Sequence, residues 1–282
     1  MVRVVAIAVA AALAAFAVAP VSAAPGKTNR VDIEYVVPKA PEHRQVYDLV
    51  REGRTLERIK ELLGPLRLPR RLLIKTESCD SVANAWYGAG VVTVCYELIA
   101  EFWKAAAQQT TPEGITPIDT LIGPVVDVFL HETGHAVFDM LQIPVLGREE
   151  DAADQFSAYL MLRLSKDEAR RLVLGNAHQY KPYLQDKTVS VELKSFADEH
   201  GAPWQRFFNV LCLAYGADKT LFGDLMSKGY LPPERADFCE GEYAQVDYAF
   251  ERLIRPHVDP AMAQKLHKRW LAPPETRVKK YQ

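Results

Sequence analysis

Three residues with ligand and base chemistry stand close together in the run "FLHETGHAVF": His131, Glu132 and His135. Residues four apart on an α-helix share one face, separated along the axis by about 6 Å. Two imidazoles placed this way can turn toward a single ion, and imidazole nitrogen is a common ligand of zinc. Glu132, one position on, is rotated by about 100° from His131. It stands beside such an ion, where a carboxylate can take a proton from a water that the ion activates. The chemistry open to this trio is metal-assisted hydrolysis, with His131 and His135 as ligands and Glu132 as general base. Gly134 weakens a helix by roughly 1 kcal/mol relative to alanine; a residue so small leaves room for a closely packed neighbour.

A catalytic zinc site has three protein ligands and one open position. The next carboxylates along the chain are in "GREEDAADQF", on what reads as the following helix. The intervening turn, "LQIPVLGR", is long enough to fold that helix back on the first. Glu149 and Glu150 are the candidates for third ligand. Glu149 lies nearer the apolar line through Ala153, Phe156 and Leu160. Glu150 has Asp154 four residues on, and a second carboxylate there can accept the outer N–H of a ligand histidine. That pairing favours Glu150. Acidic residues at a helix start are also what the helix dipole favours by itself. Asp127 and Asp139, four residues either side of the histidine pair, are further carboxylates within reach.

"HETGHAVFD" followed by "EEDAAD" resembles the gluzincin metallopeptidases, in which H-E-x-x-H is followed by a downstream glutamate with an aspartate four residues on. The mature chain is also similar to a bacterial metallopeptidase-like family of uncharacterised function. The gluzincin resemblance implies one zinc ion held by His131, His135 and Glu150, with Glu132 as base and Asp154 orienting a histidine. It implies that "NAWYGAG" is an edge strand on which an extended peptide lies, touched by Asn84 and the backbone of Ala85; adding a strand is a general way to hold a peptide. The spacing from His135 to Glu150 is shorter than in thermolysin, a member of that group. The residue that would stabilise a tetrahedral intermediate is not marked by any motif. His178, Tyr180, His200 and Arg206 are the available side chains, and His200 is placed just before a helix in "DEHGAPWQRFFN", a reachable position for an oxyanion donor.

The elements that must position these groups follow from periodicity. "VDIEYVV" and "RLLIKTESC" read as strands, and "ANAWYGAGVVTVCY" as two extended pieces about a Gly-x-Gly turn. Amphipathic helices are expected over "EHRQVYDLVREG", "TLERIKELLG" and "YELIAEFWKAAAQQ". The long apolar segment from Ile118 to Leu141 carries the histidines; Pro124 fits only a first helical turn, so the helix proper is expected to begin there. Further helices are expected near 149–165, 166–175, 190–199, 203–214 and 234–255, and "APPETRVKKYQ" (272–282) reads as a loose tail. A small antiparallel or mixed sheet with an edge strand, followed by a mainly helical portion, is an α+β pattern.

The 282 residues are 49% hydrophobic and 25% charged, with a net charge of −2. This is ordinary globular composition, and its scattered cations give no nucleic-acid surface. Residues 1–23 have one early cation, an Ala/Val-rich run and a "VSA" ending, the form of a secretory signal peptide, with a retained membrane anchor as the rival. Residues 24–282 then form one metallopeptidase-like domain, exported to periplasm or medium, without a stable membrane span. Four cysteines in an exported chain suggest two disulfides, most simply 79–95 and 212–239; buried free thiols are the alternative. The functional expectation is an exported zinc peptidase. The rivals are a non-catalytic zinc-binding envelope protein and a zinc amidase acting on cell-wall peptides.

Overall fold

The computed structural model describes residues 30–180 and 196–266. The signal-like stretch 1–23, the tail 272–282 and most of the helix expected at 190–199 lie outside these residues. The described chain is α+β, as its element order suggested. Its four strands are β1 (Val31–Tyr35), β2 (Leu72–Glu77), β3 (Ala85–Gly88) and β4 (Val91–Cys95). They lie in the order β1-β2-β4-β3. The first three in that order run parallel, and β3 is antiparallel to β4, so the sheet is mixed. Parallel neighbours need a crossover. Helices α1 (Arg44–Glu52) and α2 (Thr55–Leu62) supply it between β1 and β2. β3 and β4 form a hairpin whose turn residues, Ala89 and Gly90, both have positive φ, as a tight two-residue hairpin turn demands. Among the described residues this leaves β3 at the sheet edge with one side unpaired. Cys79 and Cys95 form a disulfide that ties the loop before β3 to the end of β4. The buried Glu97 carboxylate accepts the N–H groups of Cys79 and Ser81 in the same loop.

Helix α3 (Tyr96–Ala105) leads to α4 (Pro117–Leu141), which is buried on nearly every face. Here the structure corrects the sequence expectation: α4 does not begin at Pro124 but seven residues earlier. Thr116 and Asp119 close a reciprocal capping box at its start, which fixes the helix N-terminus more strongly than one internal proline disturbs it. Helices α5 (Glu149–Leu162) and α6 (Lys166–His178) pack on α4. α6 approaches very closely, because a Cβ on Gly175 would stand 2.2 Å from the Asp119 carbonyl oxygen and one on Gly123 would stand 2.2 Å from the Asn176 nitrogen. Helix α7 (Pro203–Ala217) packs against α5 and α6. After the short α8 (Lys219–Phe222) and α9 (Asp224–Ser227), α10 (Pro233–Leu253) lies on α7. The second disulfide, Cys212–Cys239, joins α7 to α10, so both bridges follow the neighbour pairing. The last described helix is α11 (Pro260–Leu266). No helix among the described residues is long and apolar enough to cross a membrane.

Candidate active site

The sequence places His131 and His135 one turn apart on α4, and the missing side chain at Gly134 decides what meets them. A Cβ there would lie 3.2 Å from the Ala153 Cα and 3.3 Å from the Phe156 ring. α5 therefore packs tightly on α4 at Ala153, with Glu150 about one turn before and Asp154 next to it. His131 Nε2 and His135 Nε2 are 3.3 Å apart. The Glu150 carboxylate reaches both, at 2.9 Å from His131 Nε2 and 3.4 Å from His135 Nε2. Donors bound at about 2.0–2.2 Å to one tetrahedral ion are themselves about 3.3 Å apart. The three groups, whose donor atoms lie within 4.8 Å of one another, fit a single metal ion.

Each imidazole also has an outer partner. His131 Nδ1 is 2.8 Å from Asp154, the carboxylate expected behind a ligand histidine. Asp154 is gripped in turn by Arg206, whose Nε and Nη2 donate to its two oxygens at 2.8 and 2.7 Å. His135 Nδ1 is 2.8 Å from Glu149. The two glutamates weighed as third ligand therefore face opposite nitrogens of the same ring. Asp127 is buried one turn before His131, where it accepts a hydrogen bond from Ser157 at 2.6 Å. Asp139, one turn after His135, takes hydrogen bonds from Arg70 and Tyr87.

These contacts set the electrostatics. Burial opposes a charge on His131, yet its hydrogen bonds to Asp154 and Glu150 outweigh burial and raise its pKa to about 10. The bond from His131 holds Glu150 down to about 2. For Asp154, burial pushes upward and is overcome by His131 and Arg206, giving about 2. Burial raises the Glu132 pKa, against the pull of the neighbouring histidines.

A cleft of about 520 Å³ opens on this cluster. The edge strand lines it through Asn84, Ala85, Trp86 and Tyr87, and α4 through His131, Glu132 and His135. The structure thus brings together His131, Glu132, His135, Glu150, His200, Asn84 and Ala85 around one space. His200 Nε2 is 2.9 Å from the Glu150 carboxylate, and its Nδ1 is 3.4 Å from Asp198. Of the other side chains considered for stabilising an intermediate, Arg206 is committed to Asp154, Tyr180 lies beneath the Arg206 guanidinium, and His178 lines a separate small cavity.

A family profile described as "Putative metallopeptidase" matches residues 35–254. The chain belongs to this family. Membership supports a peptidase role and a bound metal in general terms. No curated protein and no solved structure matches the chain. The matched span of the metallopeptidase family takes in all of α4, α5 and α7, and so every group described above. Within it, the grip of Arg206 on Asp154 and the positions of Gln179 and Glu199 on the cleft wall escaped the sequence reading. Their only sequence signal is polarity near a helix end, which is common on any surface.

Proposed function

We propose that this metallopeptidase-family chain is an exported, zinc-dependent peptidase that cleaves peptide bonds in the cleft between β3 and α4. The single observation that carries the reading is the convergence of His131 Nε2, His135 Nε2 and the Glu150 carboxylate at tetrahedral spacing on the floor of a substrate-sized cleft. Zinc held there would lower the pKa of a water to about 7 and polarise the scissile carbonyl. Glu132 takes the proton of the attacking water and delivers it to the departing amine; its burial, which raises its pKa, makes it a better base. His200 donates a hydrogen bond from Nε2 to the carbonyl oxygen as charge develops there, a role supported by its place on the cleft wall and by the 2.9 Å contact of Nε2 with an acceptor, the Glu150 carboxylate. Asn84 and the Ala85 backbone hold the substrate main chain along the free edge of β3, which is supported by the position of both on the cleft wall. Residues 24–282 act as one unit after removal of the signal peptide. Two disulfides support an oxidising compartment.

The test is Glu132→Gln. The variant should bind one equivalent of zinc as the wild type does and lose peptide hydrolysis by at least about two orders of magnitude. A peptide-library digest of both proteins measures it. Turnover that survives in the variant removes Glu132 from the mechanism, and a wild type that binds zinc but cleaves no peptide leaves the non-catalytic zinc protein as the better reading.

A further inference from the structure

We infer that Glu149 is a positioning residue for the metal site, holding His135 in the tautomer and orientation that present its Nε2 to the ion. This rests on the reading of His131, His135 and Glu150 as ligands. Glu149 and Glu150 are consecutive on α5, about 100° apart around the helix. They reach opposite sides of one imidazole, Glu149 Oε1 at 2.8 Å from Nδ1 and Glu150 Oε1 at 3.4 Å from Nε2. A carboxylate accepts only, so the Glu149 contact places a proton on Nδ1, and in the neutral ring that binds a metal the lone pair is then on Nε2, on the side of His131 and Glu150. An outer partner of this kind fixes ring orientation and raises ligand basicity. α5 thus supplies a carboxylate to the outer nitrogen of both histidines, Asp154 for His131 and Glu149 for His135. A charge in the first turn of α5 also interacts favourably with the helix dipole, a purely structural role. The two roles separate on substitution: glutamine abolishes the charge and keeps an oxygen that accepts the N–H.

The experiment is competition of the purified full-length protein against a zinc-chelating dye, with apo-protein melting measured beside it. Glu149→Ala should weaken zinc binding by on the order of 10–100-fold, with little change in the apo melting temperature. Glu149→Gln should recover the greater part of that loss. The inference is overturned if Glu149→Ala binds zinc as tightly as the wild type, or if Glu149→Gln is as weak as Glu149→Ala. Glu150→Ala separates this from the reading beneath it. Full zinc affinity in Glu150→Ala sinks the ligand assignment itself. Loss there with wild-type affinity in Glu149→Ala sinks only the role of Glu149.

Discussion

His131 and His135 differ by one helical turn, yet the structure surrounding each is of a different kind. On the His131 side the ring is buried and its polar partners are half-buried and tied to one another. Asp154 holds Nδ1, Arg206 holds Asp154, Tyr180 lies under the guanidinium, and α6 is dovetailed into α4 two turns away. On the His135 side the outer partner, Glu149, has a side chain 54% exposed, and the loop that precedes it carries Leu146 wholly in solvent. The difference teaches that one helix can present two proposed ligands with unequal ties to folding. A charge withdrawn from water must be matched by a partner, and removing the partner strands it. A charge left in water is stabilised there already, and its pair adds little to stability. The deep half should therefore couple metal binding to folding, while the mouth half should affect the metal alone.

Asp154→Ala strikes the deep half hardest. It leaves Arg206 without its carboxylate and His131 without its outer acceptor, and should cost about 3 kcal/mol of stability as well as zinc affinity. Denaturant titration of the metal-free protein measures the first. The native Asp154 pKa, held near 2, lies below its unfolded value. The stability it contributes is therefore fully present above the unfolded pKa, roughly 4, and is lost as pH falls toward 2. The gap between wild type and variant should close over that acid range. If the loss in Asp154→Ala matches that of Glu149→Ala, the two halves are not different in kind and the comparison breaks.

Gly175→Ala sharpens it from the packing side. The added Cβ would meet the Asp119 carbonyl, a backbone atom that cannot swing aside. Asp119 both caps α4 and takes the Arg171 salt bridge at 2.8 Å, so the shift is passed to the start of the site helix. Alanine is worth up to about 1 kcal/mol over glycine in a helix, but overpacking of this kind costs about 1–3 kcal/mol, and a net destabilisation is expected by thermal melting. A neutral or stabilising result would mean that α6 can slide on α4 and that the deep half is softer than its close approach implies.

This asymmetry also explains which parts were legible in the sequence. His131, Glu132 and His135 declare themselves by helical spacing, and Glu150 with Asp154 by the same rule on the next helix; local periodicity encodes both. The β3–β4 hairpin and the disulfide pairing were readable because hairpin turns and short cysteine separations are local too, whereas the edge position of "AWYG" followed only from the gluzincin resemblance. What was hidden depends on contacts distant along the chain. Arg206 meets Asp154 across 52 residues, and the sequence offered it only as one of several groups for an intermediate. The start of α4 was misplaced because Pro124 is a strong local signal, while the cap at Thr116 and Asp119 acts with the packing of α6 to carry the helix through it. Glu149 was weighed as a rival to Glu150; a one-dimensional pattern cannot show that two adjacent side chains grasp opposite edges of one ring.

The smallest effect belongs to the mouth, and it tests whether that half is as open as described. Leu146 is fully exposed, at 102% of its reference area, in the loop between α4 and α5. Serine there removes no buried apolar surface and leaves no cavity, so Leu146→Ser should change stability by no more than about 0.5 kcal/mol. Zinc affinity should hold as well, since Glu149 and Glu150 belong to α5 and take their positions from its packing at Ala153 and Gly134. Melting and dye competition on one preparation read both quantities. A loss of zinc affinity without a loss of stability would show that the loop helps to place Glu149. The comparison would then be redrawn, with the mouth half held by its loop and not by the helix alone.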